Sequence, residues 1–445
     1  MYSVEILSLL ESKGISIGNR VRIIKKRAVY EGILMPKTEA GDPNTFVLKL
    51  DNGYNIGIRY ERGIQIKKLP EKRELEKFPI RVFKLRPELP RVSLLATGGT
   101  IASRLDYVTG GVKMAFTPQE ILFSVPELAD IINLEDVKLL SALASEDLWY
   151  KNWQNMAEEA AKAINKGARG VIITHGTDTM HFSSAALSFM LKNLTKPVVF
   201  TGAQRSSDRG SSDAAMNLIC SAYVAGHTDI AEVGICMHAE TSDTFNFFLR
   251  GTKARKMHST RRDAFRPIND LPIAKVWPNG KIEIVNENYK KISQGKVEAD
   301  TKFEPKITLI KAYPGSMPEI IDFYVDKGFK GIVIEGTGMG HVPTSTEEKE
   351  RSWIPHIKSA IEKGVAVVIT TQTIYGRVHP YVYRNLRILN ETGVIWGEDM
   401  LPEVAYVKLG WVLGHEKNME KIREVMKKNL AGEITEQTHP LAFLL

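Results

Sequence analysis

The stretch ATGGTIAS (residues 96–103) decides the fold, because it turns an apolar run into a glycine-rich loop. The stretch THGTDTM (residues 174–180) does the same after a second apolar run. Each pattern predicts a buried strand that ends in a turn. In an open parallel α/β sheet such turns lie at the carboxyl edge, where ligands bind. We therefore expect the hydroxyls and the carboxylate of both stretches to share one cleft.

Strands and helices alternate around these two stretches from residue 91 onward. Residues 151–165 and 214–225 have helical periodicity, and they separate the apolar, β-rich runs RVSLLAT, GVIITHG, PVVFTGA and EVGICMH. This alternation predicts a parallel sheet that is covered on both faces. A second α/β set follows a polar segment (286–305) and ends in a helix near 418–431, for which Gly432 is the expected cap.

The first ninety residues have a different pattern. Residues 3–12 have helical spacing with Ser3 as the expected cap, and short β-rich pieces follow from Asn19 to about Leu69. The sequence Asp-Asn-Gly at 51–53 is a strong hairpin signal between two of these pieces. This pattern predicts a small β-barrel module.

The predicted fold class is α/β, with a two-lobed α/β body behind the barrel module. The N-lobe is expected to hold a parallel sheet and the C-lobe to be a smaller α/β unit. The expected segments are a helix plus basic barrel module at 1–78, a linker at 79–90, an N-terminal α/β domain at 91–290, a linker at 291–305 and a C-terminal α/β domain at 306–445.

Composition places the chain among globular proteins. It has 445 residues, of which 43% are apolar and 25% charged. Its start lacks the basic and apolar regions of a secretory signal, and no apolar run is long enough to span a membrane. Two cysteines are too few for a disulfide framework or a thiolate metal site. A reducing cytoplasm is therefore the expected location.

Positive charge is concentrated at the N-terminus. Residues 1–91 carry 19 lysines and arginines and 11 acidic residues, a net charge of +8. The whole chain also has a net charge of +8, so the rest of the chain is neutral overall. Runs such as Lys25–Arg27 and Lys67–Lys68 suit a polyanion, and nucleic acid is the obvious one. A basic surface that only aids solubility is the alternative, and the sequence leaves both open.

Threonine chemistry is the leading idea for the glycine-rich loops. A threonine inside a chain needs a separate base, and Lys256, which follows Arg255, is a candidate. Asp178 could hold that lysine or bind a substrate amine. The glycines of the 97–100 turn let backbone N–H groups approach a developing oxyanion. Together these groups suit acyl transfer from a small amide.

Two other kinds of site fit the sequence less well. A phosphate cradle needs G-x-G-x-x-G, and Gly98-Gly99-Thr100 lacks that spacing. A metal site could be imagined from Cys236, His238 and His258, but a lone cysteine in an apolar run is more often a core residue. We expect no metal. The sequence does not assign a role to the loop at 336–341.

The motifs TGGTIA and HGTDTM, in this order, resemble those of the bacterial-type L-asparaginase/glutaminase family, from about residue 91 to the C-terminus. The resemblance implies that Thr100 is the nucleophile and that Tyr107 helps to activate it. It also implies a second catalytic triad of Thr177, Asp178 and Lys256. An asparaginase-like body and a homodimer that completes the sites follow from the same resemblance.

The resemblance also implies a set of substrate-binding residues. Ser145 matches the serine that binds the substrate carboxylate, and Gly99 and Asp178 complete the set with Glu146. Glu146 stands where many members of the family have glutamine. This difference could change the preferred side-chain length of the substrate.

The extra N-terminal module and the string ARKMHSTRRDAF (254–265) resemble the D subunits of archaeal glutamyl-tRNA(Gln) amidotransferases. Such a protein would release ammonia from glutamine or asparagine for a partner, the E subunit, which uses ATP and Mg²⁺ to amidate Glu-tRNA(Gln). No cofactor is then expected in this chain. A free-standing L-asparaginase with an accessory module is one alternative. A nucleic-acid-binding protein with an inactive amidase fold is another.

Overall fold

The computed structural model describes residues 2–37, 42–51, 54–70, 85–98, 103–105, 112–114, 121–122, 124–207 and 209–443. Of residues 103–105 and 112–114, only the backbone is described. Within these ranges no helix is both long and apolar enough to cross a membrane. Cys220 and Cys236 are buried and do not form a disulfide.

The N-terminal module is one helix packed on a five-stranded antiparallel sheet. Its elements are α1 (Val4–Ser12), β1 (Arg20–Lys25), β2 (Ala28–Leu34), β3 (Thr45–Leu50), β4 (Asn55–Arg59) and β5 (Gln65–Lys68). The strand order is β4-β3-β2-β1-β5. The Ser3 side chain accepts a hydrogen bond from the Ile6 amide, so the predicted cap is confirmed. Ile6, Ile23 and Phe46 are fully buried in the core between helix and sheet.

The N-lobe of the body contains most of the remaining strands. Its elements are β6 (Arg91–Ala96), β7 (Ser103–Leu105), β8 (Val112–Met114), β9 (Asn133–Leu139), α2 (Tyr150–Asn165), β10 (Gly170–Thr174), α3 (Met180–Met190), β11 (Leu191–Lys192), β12 (Val198–Thr201), α4 (Ala214–His227), β13 (Val233–His238), β14 (Asn246–Arg250), β15 (Ala254–Lys256), β16 (Phe265–Pro267), β17 (Ala274–Val276), β18 (Ile282–Ile284) and β19 (Glu298–Ala299). Short 3₁₀ helices span Pro126–Asp130 and Ser145–Asp147.

The main sheet of the N-lobe is mixed rather than wholly parallel. Its order is β18-β17-β14-β13-β12-β10-β6-β9. The strands from β9 to β13 pair in parallel, as the alternation with helices predicts. Strands β14, β17 and β18 are added antiparallel at one side, because no helix separates them along the chain. Apolar clusters cover both faces of the sheet.

The C-lobe is a smaller parallel sheet with helices. Its elements are β20 (Ile307–Lys311), α5 (Glu319–Asp326), β21 (Gly331–Gly336), α6 (Ile354–Glu362), β22 (Ala366–Thr371), α7 (Arg384–Glu391), β23 (Ile395–Trp396), α8 (Pro402–His415) and α9 (Met419–Lys427), with 3₁₀ helices at Lys349–Arg351 and Pro440–Ala442. The strand order is β20-β21-β22-β23. Gly432 does not cap the last helix, which ends at Lys427. Its φ of +76° belongs to a later turn.

Helix α8 joins the two lobes. The N-terminal half of this helix packs into the N-lobe core, where its residues Val404 and Val407 are fully buried. Beside it, Lys253 Nζ of the N-lobe lies 2.7 Å from Asp399 Oδ2 of the C-lobe, with 1% and 0% of the side chains exposed. A buried ion pair of this kind requires good geometry to offset the cost of desolvation. The two lobes therefore share one core and one buried charge pair.

Candidate active site

The carboxyl ends of strands β6 and β10 lie side by side. Ala96 is paired with Thr174 at the last position of the parallel register. The next residue, Thr97, is fully buried and donates from its amide and its hydroxyl to the Thr174 carbonyl oxygen, both at 3.0 Å. The two glycine-rich stretches therefore leave neighbouring strands at the same edge of the sheet, as the sequence predicts.

Gly98 is the last described residue of the TGGT motif. Its φ is +111°, a backbone conformation that favours glycine. A Cβ atom added there would lie 2.2 Å from the Leu143 carbonyl oxygen. Three expected site residues, Gly99, Thr100 and Tyr107, lie outside the residues that the structure describes. Their roles stay predictions.

We expect Gly98→Ala to lower the free energy of unfolding by about 2 kcal/mol, because it combines a strained φ with a backbone clash. Ammonia release should fall as well, because the substitution displaces the backbone two residues before Thr100, the predicted nucleophile. Chemical denaturation and an ammonia assay measure the two effects. Gly210→Ala is the matched control, since a Cβ there has no atom of the described residues within 4 Å. Equal stability of the two variants would contradict the prediction.

Thr177, Asp178 and Lys256 form one hydrogen-bonded cluster. Lys256 Nζ donates to Thr177 Oγ1 at 2.9 Å and to Asp178 Oδ1 at 2.6 Å. The Lys256 side chain is 9% exposed, whereas the Asp178 side chain is 66% exposed. Thr177 and Asp178 follow β10, and Lys256 ends β15. Lys256 therefore contacts partners that are 79 and 78 positions away in the sequence. An amine held against a hydroxyl in this way can move a proton.

Ser145 packs against Gly176, the residue before Thr177. It is buried, and its carbonyl oxygen accepts a hydrogen bond of 2.6 Å from the Thr179 hydroxyl. A Cβ atom on Gly176 would lie 2.8 Å from Ser145 Cβ, so a side chain at position 176 would push Ser145 away. Glu146 is exposed, and its Oε2 lies 3.4 Å from Ser145 Oγ. The structure therefore places Ser145 against the loop that carries Thr177 and Asp178, with Glu146 beside Ser145.

Gln204 is a site residue that the sequence motifs did not reveal. Its Oε1 lies 3.5 Å from Thr177 Oγ1, and its Nε2 is buried without a hydrogen-bond partner among the described residues. The buried carboxylate of Asp213 holds the backbone at Gln204, because it accepts hydrogen bonds from the amides of Gln204 and Arg205 at 3.0 and 2.9 Å. Gln204 follows β12, so the rule that placed Thr177 after a parallel strand could have found it.

The loop that carries Gln204 also contacts the N-terminal module. The Tyr54 hydroxyl lies 2.6 Å from Ser211 Oγ, and the Arg209 guanidinium lies 5.5 Å from the centre of the Tyr54 ring. One end of the loop thus touches Thr177 and the other touches the module. No local sequence signal indicates this contact, because Tyr54 and Ser211 are 157 positions apart.

His175 is held behind the cluster in its neutral form. Its Nδ1 bonds to the Gly176 carbonyl oxygen at 2.6 Å and its Nε2 to Ser183 Oγ at 2.8 Å. The Trp153 indole donates to the same Ser183 hydroxyl at 2.9 Å. Nδ1 therefore carries the proton, and Nε2 accepts from Ser183. Burial lowers the pKa of His175 to about 4.

The lowered pKa of His175 predicts acid sensitivity. Between pH 6.5 and about 4 the unfolded chain takes up a proton that the native protein does not bind, so stability falls as pH falls through this window. His175 should contribute a slope of about 1.4 kcal/mol per pH unit. Denaturation of His175→Gln at several pH values should give a shallower slope. The exposed His439→Gln is the control, and an unchanged slope in His175→Gln would contradict the prediction.

The imagined metal site does not form. His238 is bonded to Asn217 Oδ1 at 2.6 Å and to Asp243 Oδ1 at 3.0 Å, and His258 accepts from the amides of its own turn. Burial raises the pKa of the Cys236 thiol to about 12, which fits a core residue. In the part of the chain that the structure describes, no group of three His, Cys, Asp or Glu residues could hold a metal ion.

Comparisons with known proteins identify this fold and cluster. Family models described as "Asparaginase, N-terminal" and "Glutaminase/Asparaginase C-terminal domain" match residues 91–290 and 306–426. The thermostable L-asparaginase from Thermococcus kodakarensis has a TM-score of 0.68 and 31% identity, over 78% of this chain and all of that one. L-asparaginase I from Vibrio cholerae has a TM-score of 0.67 and 29% identity, over 78% and 99%. The class is that of asparaginase-type amidohydrolases, as the sequence predicted.

A further set of relatives includes the N-terminal module. A family model described as "GatD N-terminal domain" matches residues 15–69. The D subunit of glutamyl-tRNA(Gln) amidotransferase from Pyrococcus furiosus is 53% identical over 98% of this chain and 99% of the relative. Its counterpart from Thermococcus kodakarensis is 53% identical over 98% of both chains. The chain belongs to the family of glutamyl-tRNA(Gln) amidotransferase D subunits.

Proposed function

We propose that this chain is the glutaminase subunit of a tRNA-dependent amidotransferase. It releases ammonia from glutamine or asparagine, and a partner subunit uses the ammonia to convert Glu-tRNA(Gln) to Gln-tRNA(Gln). The observation that carries the proposal is the Thr177–Asp178–Lys256 cluster at the carboxyl end of β10, next to the strand that leads into TGGT. The full-length similarity to the amidotransferase D subunits supports it.

The proposed reaction passes through an acyl-enzyme on Thr100. The Thr100 Oγ attacks the side-chain amide carbon of the substrate, and Tyr107 helps to take up its proton. The C–N bond then breaks, and the nitrogen leaves as ammonia after it gains one proton. Water next attacks the ester carbon, which releases glutamate or aspartate and restores the threonine hydroxyl. The N–H of Gly99 is proposed to stabilise the oxyanion in both steps.

The cluster has a defined part in these proton movements. Lys256 Nζ lies within hydrogen-bond distance of Thr177 Oγ1, so a proton can pass between amine and hydroxyl. Asp178 holds the amine in place and presents its second carboxylate oxygen at the exposed mouth of the cleft, where the substrate α-amine can bind. Ser145 is proposed to bind the substrate carboxylate, and Glu146 is proposed to influence the preferred length of the substrate side chain.

The proposed assembly has two kinds of partner. Two copies of the body form a homodimer, and each copy works with an E subunit that holds ATP and Mg²⁺.

The segment boundaries at 78, 90, 290 and 305 also remain proposals, supported by the separate sheets of module, N-lobe and C-lobe. Both cysteines are buried and unpaired, which suits a cytoplasmic location.

The test is ammonia release from glutamine and asparagine by the purified chain, alone and with the E subunit and Glu-tRNA(Gln). Thr100→Ala is expected to abolish release, by at least about a thousandfold, because it removes the attacking oxygen. Its circular dichroism spectrum and melting temperature should match those of the wild type. A variant that keeps full turnover would show that Thr100 is not the nucleophile.

The partner requirement separates the alternatives. Activity that rises when the E subunit and charged tRNA are added supports the proposed function. Full turnover without any partner would instead indicate a free-standing L-asparaginase. RNA binding with no amide hydrolysis under any condition would indicate an inactive, nucleic-acid-binding protein.

A further inference from the structure

A cationic pocket lies at the edge of the N-lobe sheet that is opposite to the active site. It has a volume of about 530 Å³ and is lined in part by Arg169, Lys196 and Lys296. Arg169 immediately precedes β10, and Lys196 lies two positions before β12. Since β10 and β12 are parallel neighbours, their amino ends bring these two side chains together. We call this cavity the amino-edge pocket.

The charge of the amino-edge pocket is unbalanced. Among the described residues, its lining includes three cationic side chains and no aspartate or glutamate. The Asp229 carboxylate acts on Arg169 electrostatically, but it already accepts a hydrogen bond of 2.9 Å from the Tyr289 hydroxyl and lies 3.5 Å from Lys291 Nζ. Burial lowers the pKa of Arg169, and burial together with the Arg169 charge lowers the pKa of Lys196.

The Arg169 guanidinium has an unused donor. Its Nη2 donates to the Thr228 carbonyl oxygen at 2.7 Å. Its Nη1 is buried and has no hydrogen-bond partner among the described residues. Lys196 Nζ reaches the Ser293 carbonyl oxygen only at 3.5 Å. In the described part of the chain, the Arg169 guanidinium and the Lys196 ammonium group therefore have no anionic hydrogen-bond partner, and cationic donors of this kind form strong hydrogen bonds with an oxyanion.

We propose that the amino-edge pocket binds a phosphoryl group through Arg169, Lys196 and Lys296. A phosphoryl group carries several acceptor oxygens and up to two negative charges, which matches a guanidinium and two ammonium groups better than one carboxylate does. The ligand is either a free phosphate compound or a phosphate of an RNA backbone. Five residues of β10 separate this pocket from Thr177 and Asp178, so the two sites are distinct.

The test uses the full-length chain and two probes. Inorganic phosphate is titrated by calorimetry at constant ionic strength, and a tRNA transcript is titrated by filter binding at several salt concentrations. The double variant Arg169→Gln/Lys196→Gln should weaken binding of at least one probe about tenfold, the loss of one charge-assisted hydrogen bond. If RNA is the ligand, the salt slope of its binding should also fall by about 2.

The control variant is Lys358→Gln/Lys421→Gln, which removes the same charge from side chains that are 63% and 68% exposed. If melting shows that the Arg169 variant is unfolded, Lys196→Gln/Lys296→Gln replaces it. Loss of phosphate binding alone identifies a free phosphate compound, and loss of tRNA binding alone identifies RNA. If both probes bind to the pocket variant as they bind to the control, the proposal is wrong.

Discussion

Replacing Lys256 by alanine is expected to lower kcat for ammonia release about a thousandfold. The substitution removes the only amine that reaches Thr177 Oγ1 among the described residues, where it lies at 2.9 Å. It also frees the Asp178 carboxylate, 2.6 Å away, from its cation. KM for glutamine should change far less, because the lysine acts on proton movement rather than on binding alone.

Steady-state ammonia release by the purified chain, alone and with the proposed E subunit, measures this effect. Lys358→Ala, on the exposed face of α6, is the matched control and should keep wild-type turnover. Thr177→Val should lose about as much as Lys256→Ala, and the double variant little more, because residues that act as a unit are not additive. A Lys256→Ala protein within about tenfold of wild-type kcat would remove this lysine from the mechanism.

The largest expected loss of stability is that of Asp399→Ala, at about 3–5 kcal/mol. It would leave the Lys253 ammonium group, which is 1% exposed, without the carboxylate that lies 2.7 Å from it. Asp399 Oδ1 also accepts from the Thr435 amide at 3.0 Å, so the chain near the C-terminus loses its anchor as well. Guanidinium denaturation followed by tryptophan fluorescence measures the change.

Two further variants isolate the charge pair. Lys253→Met/Asp399→Leu removes both charges and should recover most of the loss, because no ion is then left buried alone. Glu283→Gln breaks a surface ion pair in which the Glu283 side chain is 45% exposed and the Lys275 side chain 34% exposed. It should lower the free energy of unfolding by less than about 1 kcal/mol. If Asp399→Ala costs no more than Glu283→Gln, the lobes are not held together by this pair.

The elements that could be predicted from the sequence are those whose signals are local. Apolar runs before TGGT and HGTDT indicated β6 and β10, and because they are parallel neighbours their ends had to meet. The carboxylate of Asp178 and the hydroxyl of Thr177 were therefore placed correctly at one edge by periodicity alone. Lys256 required the family resemblance, since nothing in its own surroundings distinguishes it from a surface lysine.

Features that depend on long-range packing could not be predicted. Strands β14, β17 and β18 are short and antiparallel, and their positions depend on which edge of the sheet remains free. The position of Gln204 after β12 could have marked it as a candidate, but its contact with Thr177 and the hydrogen bond from its backbone to Asp213 depend on packing between distant segments. The turn at Gly432 resembled a helix cap, but the helix had already ended at Lys427.

The hydrogen bond between Tyr54 and Ser211 determines how this protein can be divided for experiments. A shortened chain that starts near residue 85 would retain the amidohydrolase body, yet the loop with Gln204 would face bulk water at its far end. A difference in turnover between the shortened and full-length proteins would then combine two effects, the loss of the contact between the module and this loop and the loss of any contact between the module and RNA. Tyr54→Phe in the full chain removes a single oxygen atom and separates these two contributions.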